Sequence, residues 1–259
     1  MPHVTLSDLI VRIVLGRGRE RPERGERRTI PNAPNDHRHP VKRLIIAIDG
    51  PSGAGKGTIA RTVAASLGYR HIDTGAMYRA VGWKAHADGI RLDDESAVAA
   101  LAERAAVMVE GGVVSIEGYD VTRAIRTPEI DTIAAAVARL PRVRDVLVAR
   151  QRTIGEAGGV VMEGRDIGSV VFPQADVKIY LDASAAERAR RRANDPLHTG
   201  GQAGTAEVAA SIAARDQSDS TRTASPLTIA QGAVYIDTTD LPIDRVVETV
   251  MALVRQRSS

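Results

Sequence analysis

The sequence predicts an α/β protein in which helices cover both faces of a central parallel sheet of about five strands. The apolar runs show little polar alternation, which is typical of strands that are buried on both faces. Helix-like segments lie between these runs, and 43% of the 259 residues are hydrophobic, enough for a sizeable core. The predicted strands are residues 44–49, 69–73, 160–163, 177–182 and 233–237.

The helices are predicted from apolar periodicity and from their end signals. In the first helix, Ile59, Val63 and Leu67 recur every four residues, and Gly68 is expected to end it. Pro141 is expected to open a later helix that runs to Arg152, because proline is favoured in the first turn. The last helix is built from Val246, Val247, Val250, Leu253 and Val254.

One segment interrupts the alternation of strands and helices. Residues 105–122 contain two short apolar runs around Gly111 and Gly112, which predicts a small antiparallel hairpin. We therefore expect residues 74–158, approximately, to be an insertion on the sheet, and residues 41–73 and 159–259 to form the core.

Residues 1–40 form a basic leader with a composition of its own. They hold eight Arg and five Asp or Glu, a net charge of +3 that equals the charge of the whole chain. The remaining residues have a net charge close to zero, and this charge gives no indication that they bind nucleic acid. We expect the leader to be a disordered, dispensable extension or the result of a start assigned too early. A nucleic-acid-binding arm is the alternative.

The composition also bounds the class of protein. The chain has no cysteine, which excludes disulfides, thiolate metal sites and cysteine nucleophiles. It has no apolar run of the ~18 residues that a membrane span needs. Both observations fit a cytoplasmic protein without a membrane anchor.

The stretch LIIAIDGPSGAGKGT (44–58) places a glycine-rich turn between a strand and a helix. Such turns cradle phosphates with backbone N–H groups and with the positive end of the helix. The usual P-loop has a hydroxyl directly after its lysine, but here Gly57 follows Lys56 and Thr58 comes one place later. There is no N-K-x-D guanine motif, so a regulatory GTPase is disfavoured. A turn without a ligand would need fewer glycines.

Three further stretches, 71–79, 160–173 and 215–222, could bind the substrate that accepts the phosphate, and a fourth, 187–193, suits a polyphosphate. HIDTGAMYR (71–79) and VVMEGRDIGSVVFP (160–173) place charges at strand ends, where α/β proteins bind ligands. ERARRRA (187–193) and RDQSDSTR (215–222) place arginines on one helical face. Taken singly, each stretch could also be a capped strand end or a solvated helix face.

Taken together, these stretches resemble bacterial-type cytidylate kinases, which belong to the P-loop nucleoside monophosphate kinases. The resemblance runs from about residue 44 to the C-terminus. It is carried by IDGPSGAGKGT, DTGAMYR, IRTPE (125–129), PRVR (141–144), EGRDIGSVVFP, VKIYLDAS (177–184), and RDQSDSTR followed by Pro226 and Leu227. It implies the P-loop kinase fold, an inserted monophosphate-binding subdomain, and a short lid at about residues 186–206.

The resemblance also implies an activity and a set of site residues. The family transfers the γ-phosphate of ATP to CMP or dCMP with Mg²⁺, in pyrimidine nucleotide metabolism, as a cytoplasmic monomer. The residues implied for catalysis are Lys56, Arg165 and Arg222. Those implied for the ATP phosphates are Gly50, Pro51, Ser52, Gly53, Ala54, Gly55, Lys56, Gly57, Thr58, Arg188 and Arg192. Those implied for CMP are Thr74, Arg79, Arg144, Arg165, Asp166, Arg215 and Asp219. Thr58 would contribute to metal binding, although the metal would be held mostly by phosphates and water.

The implied base contacts agree with the chemistry of cytosine. Asp166 can accept from the N4 amino group, and Arg144 can donate to N3 and O2. Two departures from the family are Ala135, where a serine often faces the base, and Glu163, where an aspartate is frequent. There are two alternative functions. The chain could be a kinase of UMP, AMP or shikimate, or a nucleotide-dependent protein associated with nucleic acid.

Overall fold

The computed structural model describes residues 43–195 and 205–258, which lie in a compact unit spanning residues 41–259. The strands of the main sheet are β1 (Ile45–Asp49), β2 (Arg70–Asp73), β6 (Val160–Gly164), β7 (Val177–Asp182) and β8 (Val234–Asp237). They have the order β2-β6-β1-β7-β8, and every neighbouring pair is parallel. The predicted fold class is confirmed.

Helices pack on both faces of this sheet. The α-helices of the described residues are α1 (Lys56–Leu67), α2 (Thr74–Ala87), α3 (Glu95–Arg104), α4 (Pro128–Val137), α5 (Pro141–Gly155), α6 (Ala185–Ala193), α7 (Thr205–Thr221) and α8 (Ile243–Ser258). On one face, Ile46 and Ile48 of β1 share a buried cluster with residues of α1 and α8. On the other, Ala47 and Met162 pack with Val148 of α5. Helix α1 ends at Gly68 in the left-handed conformation, as predicted.

The segment between β2 and β6 contains α2 to α5 and a small antiparallel sheet. The sheet pairs β3 (Val107–Glu110) with β4 (Val113–Ile116), and β4 with β5 (Tyr119–Asp120). The predicted hairpin is therefore incomplete, because a third strand of two residues was too short to leave a pattern. Helix α5 also runs three residues beyond the predicted Arg152, to Gly155.

The prediction that every run is buried on both faces is wrong for β8. This strand lies at the edge of the sheet and pairs with β7 alone. Val234 is 39% exposed and Tyr235 is 50% exposed. The Tyr235 ring stacks on Tyr180 of β7 with ring centroids 5.9 Å apart, so the exposed aromatic keeps an apolar partner.

The carboxyl ends of the parallel strands lie level with one another. Asp73 is paired with Glu163, and Asp49 is paired with Gly164 and with Tyr180. Loops that follow β1, β2 and β6 therefore meet at one edge of the sheet, the usual place for ligands in this architecture. Within the described ranges, no helix combines the length and the apolar character needed to cross a membrane. The predicted lid falls partly outside those ranges.

Candidate active site

The glycine-rich loop joins β1 to α1, as the sequence predicts for a phosphate-binding turn. At Gly50, φ is +147°, and a Cβ atom would lie 2.0 Å from the carbonyl oxygen of Leu181. Only glycine fits this approach of two backbones. Gly55 directly precedes α1 with φ of 89°. The loop therefore ends at the positive N-terminus of a helix, an arrangement that favours anions.

Lys56, the first residue of α1, is buried against the loop. Its Nζ donates to the carbonyl oxygen of Pro51 at 2.7 Å, and the residue is 7% exposed. Burial, together with the nearby charge of Arg165, lowers the pKa of Lys56 to about 7. An anion at this position would favour the charged form of the amine.

A main cavity of about 900 Å³ opens beside the loop. Among the residues that the structure describes, nine basic and five acidic side chains line this cavity. The excess of positive charge suits an anionic ligand such as a polyphosphate. The predicted site residues that line it are Ser52, Gly53, Ala54, Gly55, Lys56, Gly57, Thr58, Arg79, Arg165, Arg192 and Arg215.

Some residues predicted to bind ATP phosphates lie outside this lining. Arg188 donates to the carbonyl oxygen of Ser52 at 3.1 Å and forms an ion pair with Asp216. Arg188 therefore stabilises the glycine-rich loop. Its contact with a phosphate stays a prediction. Gly50 and Pro51 form the base of the loop and are not among the lining residues either.

Thr74 opens α2 at the end of β2. Its hydroxyl donates to the carbonyl oxygen of Glu163 at 2.7 Å, which ties α2 to the end of β6. A Cβ atom at Gly164 would lie 2.7 Å from this hydroxyl oxygen, so the close approach requires glycine. Asp73 caps α2 by accepting from the N–H of Ala76 at 3.0 Å. These local contacts hold Thr74 at the same edge of the sheet as the glycine-rich loop.

The remaining predicted residues form a buried ion network next to the cavity. Arg144 of α5 forms an ion pair with Asp166. Asp219 accepts from Arg165 Nε at 2.8 Å. Arg222 lies 3.7 Å from both carboxylates. Because Arg165 also lines the cavity, it connects the two parts of the site.

Asp49, the last residue of β1, fixes the position of this network. Its two carboxylate oxygens accept from the backbone N–H groups of Ile167 and Gly168, each at 2.8 Å. These groups open a short π-helical turn, residues 167–171, directly after Asp166. Burial raises the pKa of Asp49 to about 6, although the two backbone hydrogen bonds lower it. The strand end thus orients Arg165 and Asp166.

Several buried donors of the network have no hydrogen-bond partner among the described residues. They include Arg144 Nε, Arg222 Nη2 and the hydroxyl of Tyr78. The Arg144 guanidinium lies over the Tyr78 ring, 5.5 Å from its centroid, and burial raises the pKa of Tyr78 to about 12. Buried donors are normally satisfied, so a polar ligand bound at this corner would supply partners for these groups.

The structure adds residues that the sequence analysis did not select as site residues. Arg126 and Arg191 both line the cavity. Arg126 belongs to the quoted IRTPE stretch, and Arg191 shares a helical face with Arg192, so both had a signal in the sequence. Asp131, whose carboxylate contacts three arginines, had no signal beyond its place in the first turn of α4.

The cavity offers oxygen ligands that fit Mg²⁺. Thr58 and Glu163 are both among its lining residues, and the charge of Glu163 acts on Lys56. Glu163 also contacts His71 Nε2 at 2.8 Å, which orients the carboxylate. Magnesium typically takes one or two protein oxygens, with water and substrate phosphates completing the shell. Among the described residues no cluster of three His, Asp or Glu forms a metal site.

A strand, a glycine-rich loop and a helix that begins with a buried lysine, next to an arginine-lined cavity, define a P-loop kinase. The family model for cytidylate kinase matches residues 46–256. Cytidylate kinase of Solibacter usitatus is 48% identical over 224 residues, which cover 83% of this chain and 94% of the relative. The chain therefore belongs to the cytidylate kinase family.

A second relative supports the same family assignment. Cytidylate kinase of Caldanaerobacter subterraneus subsp. tengcongensis is 46% identical over 213 residues, which cover 82% of this chain and 95% of the relative. Among solved structures, shikimate kinase from Acinetobacter baumannii has a TM-score of 0.44 and 15% identity, covering 83% of this chain and 95% of that one. A likeness at this level carries no weight in the assignment.

The lowered pKa of Lys56 predicts proton uptake when ATP binds. With protein groups alone around it, Lys56 has a pKa of about 7, so at about pH 8.5 most of the amine is neutral. The charge of ATP raises that pKa, and the complex gains a large part of one proton. Calorimetric titrations in two buffers of different ionisation enthalpy measure this uptake.

The matched control is Lys56→Met, which keeps the length of the side chain without its titratable group. The variant should bind ATP more weakly and with little proton uptake. Equal uptake in the variant and the wild type would assign the proton to another group.

Proposed function

We propose that the chain transfers the γ-phosphate of ATP to CMP or dCMP, producing ADP and CDP or dCDP. The observation that carries the proposal is membership of the cytidylate kinase family over residues 46–256. UMP, AMP and shikimate are less favoured acceptors on the same ground. Placement in pyrimidine nucleotide metabolism, a cytoplasmic location and a monomeric state stay predictions.

On the donor side, we assign the ATP phosphates to the loop 50–58 and to Lys56. The loop amides and the N-terminus of α1 provide directed hydrogen bonds and a partial positive charge. Arg191 and Arg192 of α6 also line the cavity. Together these groups can surround the charge that develops on the phosphoryl group during transfer.

On the acceptor side, we assign the phosphate of CMP to Arg79 and Arg165, with Thr74 next to them. Both arginines line the cavity, so they can reach a phosphate that faces the loop. The sugar hydroxyls are assigned to Arg215 and Asp219. Asp219 lies on α7 beside Arg165, and the nearby arginines hold its pKa below the ordinary value although burial raises it. The carboxylate is then charged and can accept from a hydroxyl.

The base is assigned to the ion pair of Arg144 and Asp166. Cytosine presents a donor at N4 and acceptors at N3 and O2, which match a carboxylate and a guanidinium. Uracil presents an acceptor at position 4 and a donor at N3, so its O4 would face the carboxylate of Asp166. Buried mismatches of this kind cost several kcal/mol. Ala135 cannot supply the hydrogen bond that a serine would.

The transfer step requires positioning and neutralisation of charge more than acid–base catalysis. The acceptor phosphate oxygen is already nucleophilic, so the mechanism needs no general base. Lys56, Arg165 and Arg222 are assigned to the developing charge on the transferred group. When bound, Mg²⁺ would neutralise charge on the donor phosphates and help to align them. Thr58 and Glu163 are the protein groups placed to hold it.

For the organisation of the chain, we propose a kinase unit at residues 41–259. Its parts would be a core of residues 41–73 and 159–259, a monophosphate-binding insertion of about 74–158, and a lid of about 186–206. The family match begins at residue 46, which leaves residues 1–40 outside it.

The kinase assignment predicts a clear order of acceptors. With ATP and Mg²⁺, kcat/KM should be highest for CMP and dCMP, and lower by about a hundredfold or more for UMP and AMP. Shikimate should not react. A coupled assay of ADP formation measures the whole panel. A higher value for any other acceptor would overturn the assignment.

The base assignment predicts a change of specificity in Asp166→Ala. The variant should lower the CMP-to-UMP ratio of kcat/KM by about tenfold to a hundredfold, since a good base contact is worth roughly 1–3 kcal/mol of discrimination. Because the change also leaves Arg144 without its partner, a thermal melt must show that the variant is folded. Asp145→Ala, on the exposed side of the same helix as Arg144, is the control. An unchanged ratio would refute the role of Asp166.

The domain assignment predicts that the leader is dispensable for catalysis. Residues 41–259 expressed alone should retain kcat and KM for CMP within about twofold, because the compact unit begins at residue 41. The same steady-state assay measures both constants. A large loss of activity would place residues 1–40 within the catalytic unit. Loss of polynucleotide binding alone would support the alternative role of the leader.

A further inference from the structure

The carboxylate of Asp131 contacts three arginines at once. One oxygen accepts from Arg79 Nε at 3.0 Å and from Arg215 Nη1 at 3.0 Å. The other accepts from Arg192 Nη2. The four side chains are between 12% and 16% exposed. We call this group the Asp131 cluster.

The three arginines come from different parts of the fold. Arg79 lies on α2, Arg192 on α6 and Arg215 on α7, and Asp131 itself lies on α4. All three arginines line the main cavity, whereas Asp131 is not among the lining residues. The carboxylate therefore lies behind the arginines, and it leaves other N–H groups of each guanidinium free to face a ligand.

The charges in the Asp131 cluster explain why a carboxylate is needed there. Burial lowers the pKa of Arg215 to about 10, and the neighbouring charges of Arg79 and Arg165 act in the same direction. Burial acts on Arg79 as well, but Asp131 and Asp73 outweigh it and raise the pKa of that guanidinium. Without Asp131, three partly buried cations would repel one another.

A simpler explanation of Asp131 is that an acidic residue in the first turn stabilises α4 through the helix dipole. Glu129 occupies the same first turn and is therefore a natural comparison. Its side chain is 68% exposed and lies 3.6 Å from His86, away from the cavity arginines. A change at Glu129 removes a charge from the same helix end and leaves the Asp131 cluster intact.

We propose that Asp131 is a positioning residue that couples the two phosphate subsites. It holds Arg192, which is assigned to the donor phosphates, in one cluster with Arg79 and Arg215, which are assigned to the acceptor nucleotide. Binding at either subsite then acts on the arginines of the other through a shared carboxylate. The inference rests on the proposed function of these arginines.

The test compares Asp131→Asn with Glu129→Gln in steady-state assays that vary ATP and CMP separately. In Asp131→Asn, KM should rise for both substrates, and kcat/KM should fall by about tenfold or more for each, because misplaced binding groups are costly. Glu129→Gln should match the wild type in both constants. A rise confined to one substrate, or equal effects in the two variants, would overturn the proposal.

Two further variants separate positioning from stability. Asp131→Glu retains the charge and should recover part of the lost kcat/KM, whereas a failure to exceed Asp131→Asn would contradict the electrostatic role. If Asp131→Asn melts at a much lower temperature, Arg192→Gln replaces it in the test. That change should raise KM for CMP as well as for ATP, and an unchanged KM for CMP would overturn the coupling.

A wild-type protein that phosphorylates neither CMP nor dCMP would refute the proposed function. Normal wild-type activity with an unaffected Asp131→Asn variant would refute the inference alone. The two failures are therefore distinguishable in one set of assays.

Discussion

Mutual repulsion among arginines is the constraint on which the site depends. A cavity for polyphosphate needs many cations in a small volume, and partly buried cations without partners are costly. The fold meets this requirement by placing a carboxylate beside each group of guanidiniums. Asp73 lies 3.9 Å from both Arg79 and Arg126. Asp219 pairs with Arg165, and Asp131 pairs with Arg192 and Arg215. The same carboxylates fix the directions in which the guanidiniums point.

The sheet and its phosphate loop could be predicted because their signals are local. An apolar run, four glycines and a lysine lie within fifteen residues, and the structure has the predicted strand, loop and helix in that order. The strand β8 was predicted, but its burial was predicted wrongly, because its run of apolar residues does not reveal that it lies at an edge. Its exposure depends on which strand pairs with it, a property of the whole sheet.

Outside the phosphate loop, the roles of the candidate site residues came from the resemblance. Arg144 and Asp166 were selected for a base, but their contact with each other depends on how α5 packs against the turn after β6. The sequence gives no sign of the arginine contacts of Asp131, since its partners Arg79 and Arg215 lie 52 and 84 residues away in sequence. Contacts of this kind arise from tertiary packing and have no local pattern.

Because the strand ends lie level, separate loops contribute different groups of residues to the site. The loop after β1 carries the phosphate cradle, while the turn after β6 and the helix α5 carry the groups assigned to the base. The end of β1 and the turn after β6 are connected by hydrogen bonds from two backbone N–H groups of the turn to the carboxylate of Asp49, which do not depend on the side chains assigned to the base. Substitutions in α5 and in the turn after β6 could thus change the acceptor during evolution, while the loop assigned to the phosphate donor stays the same.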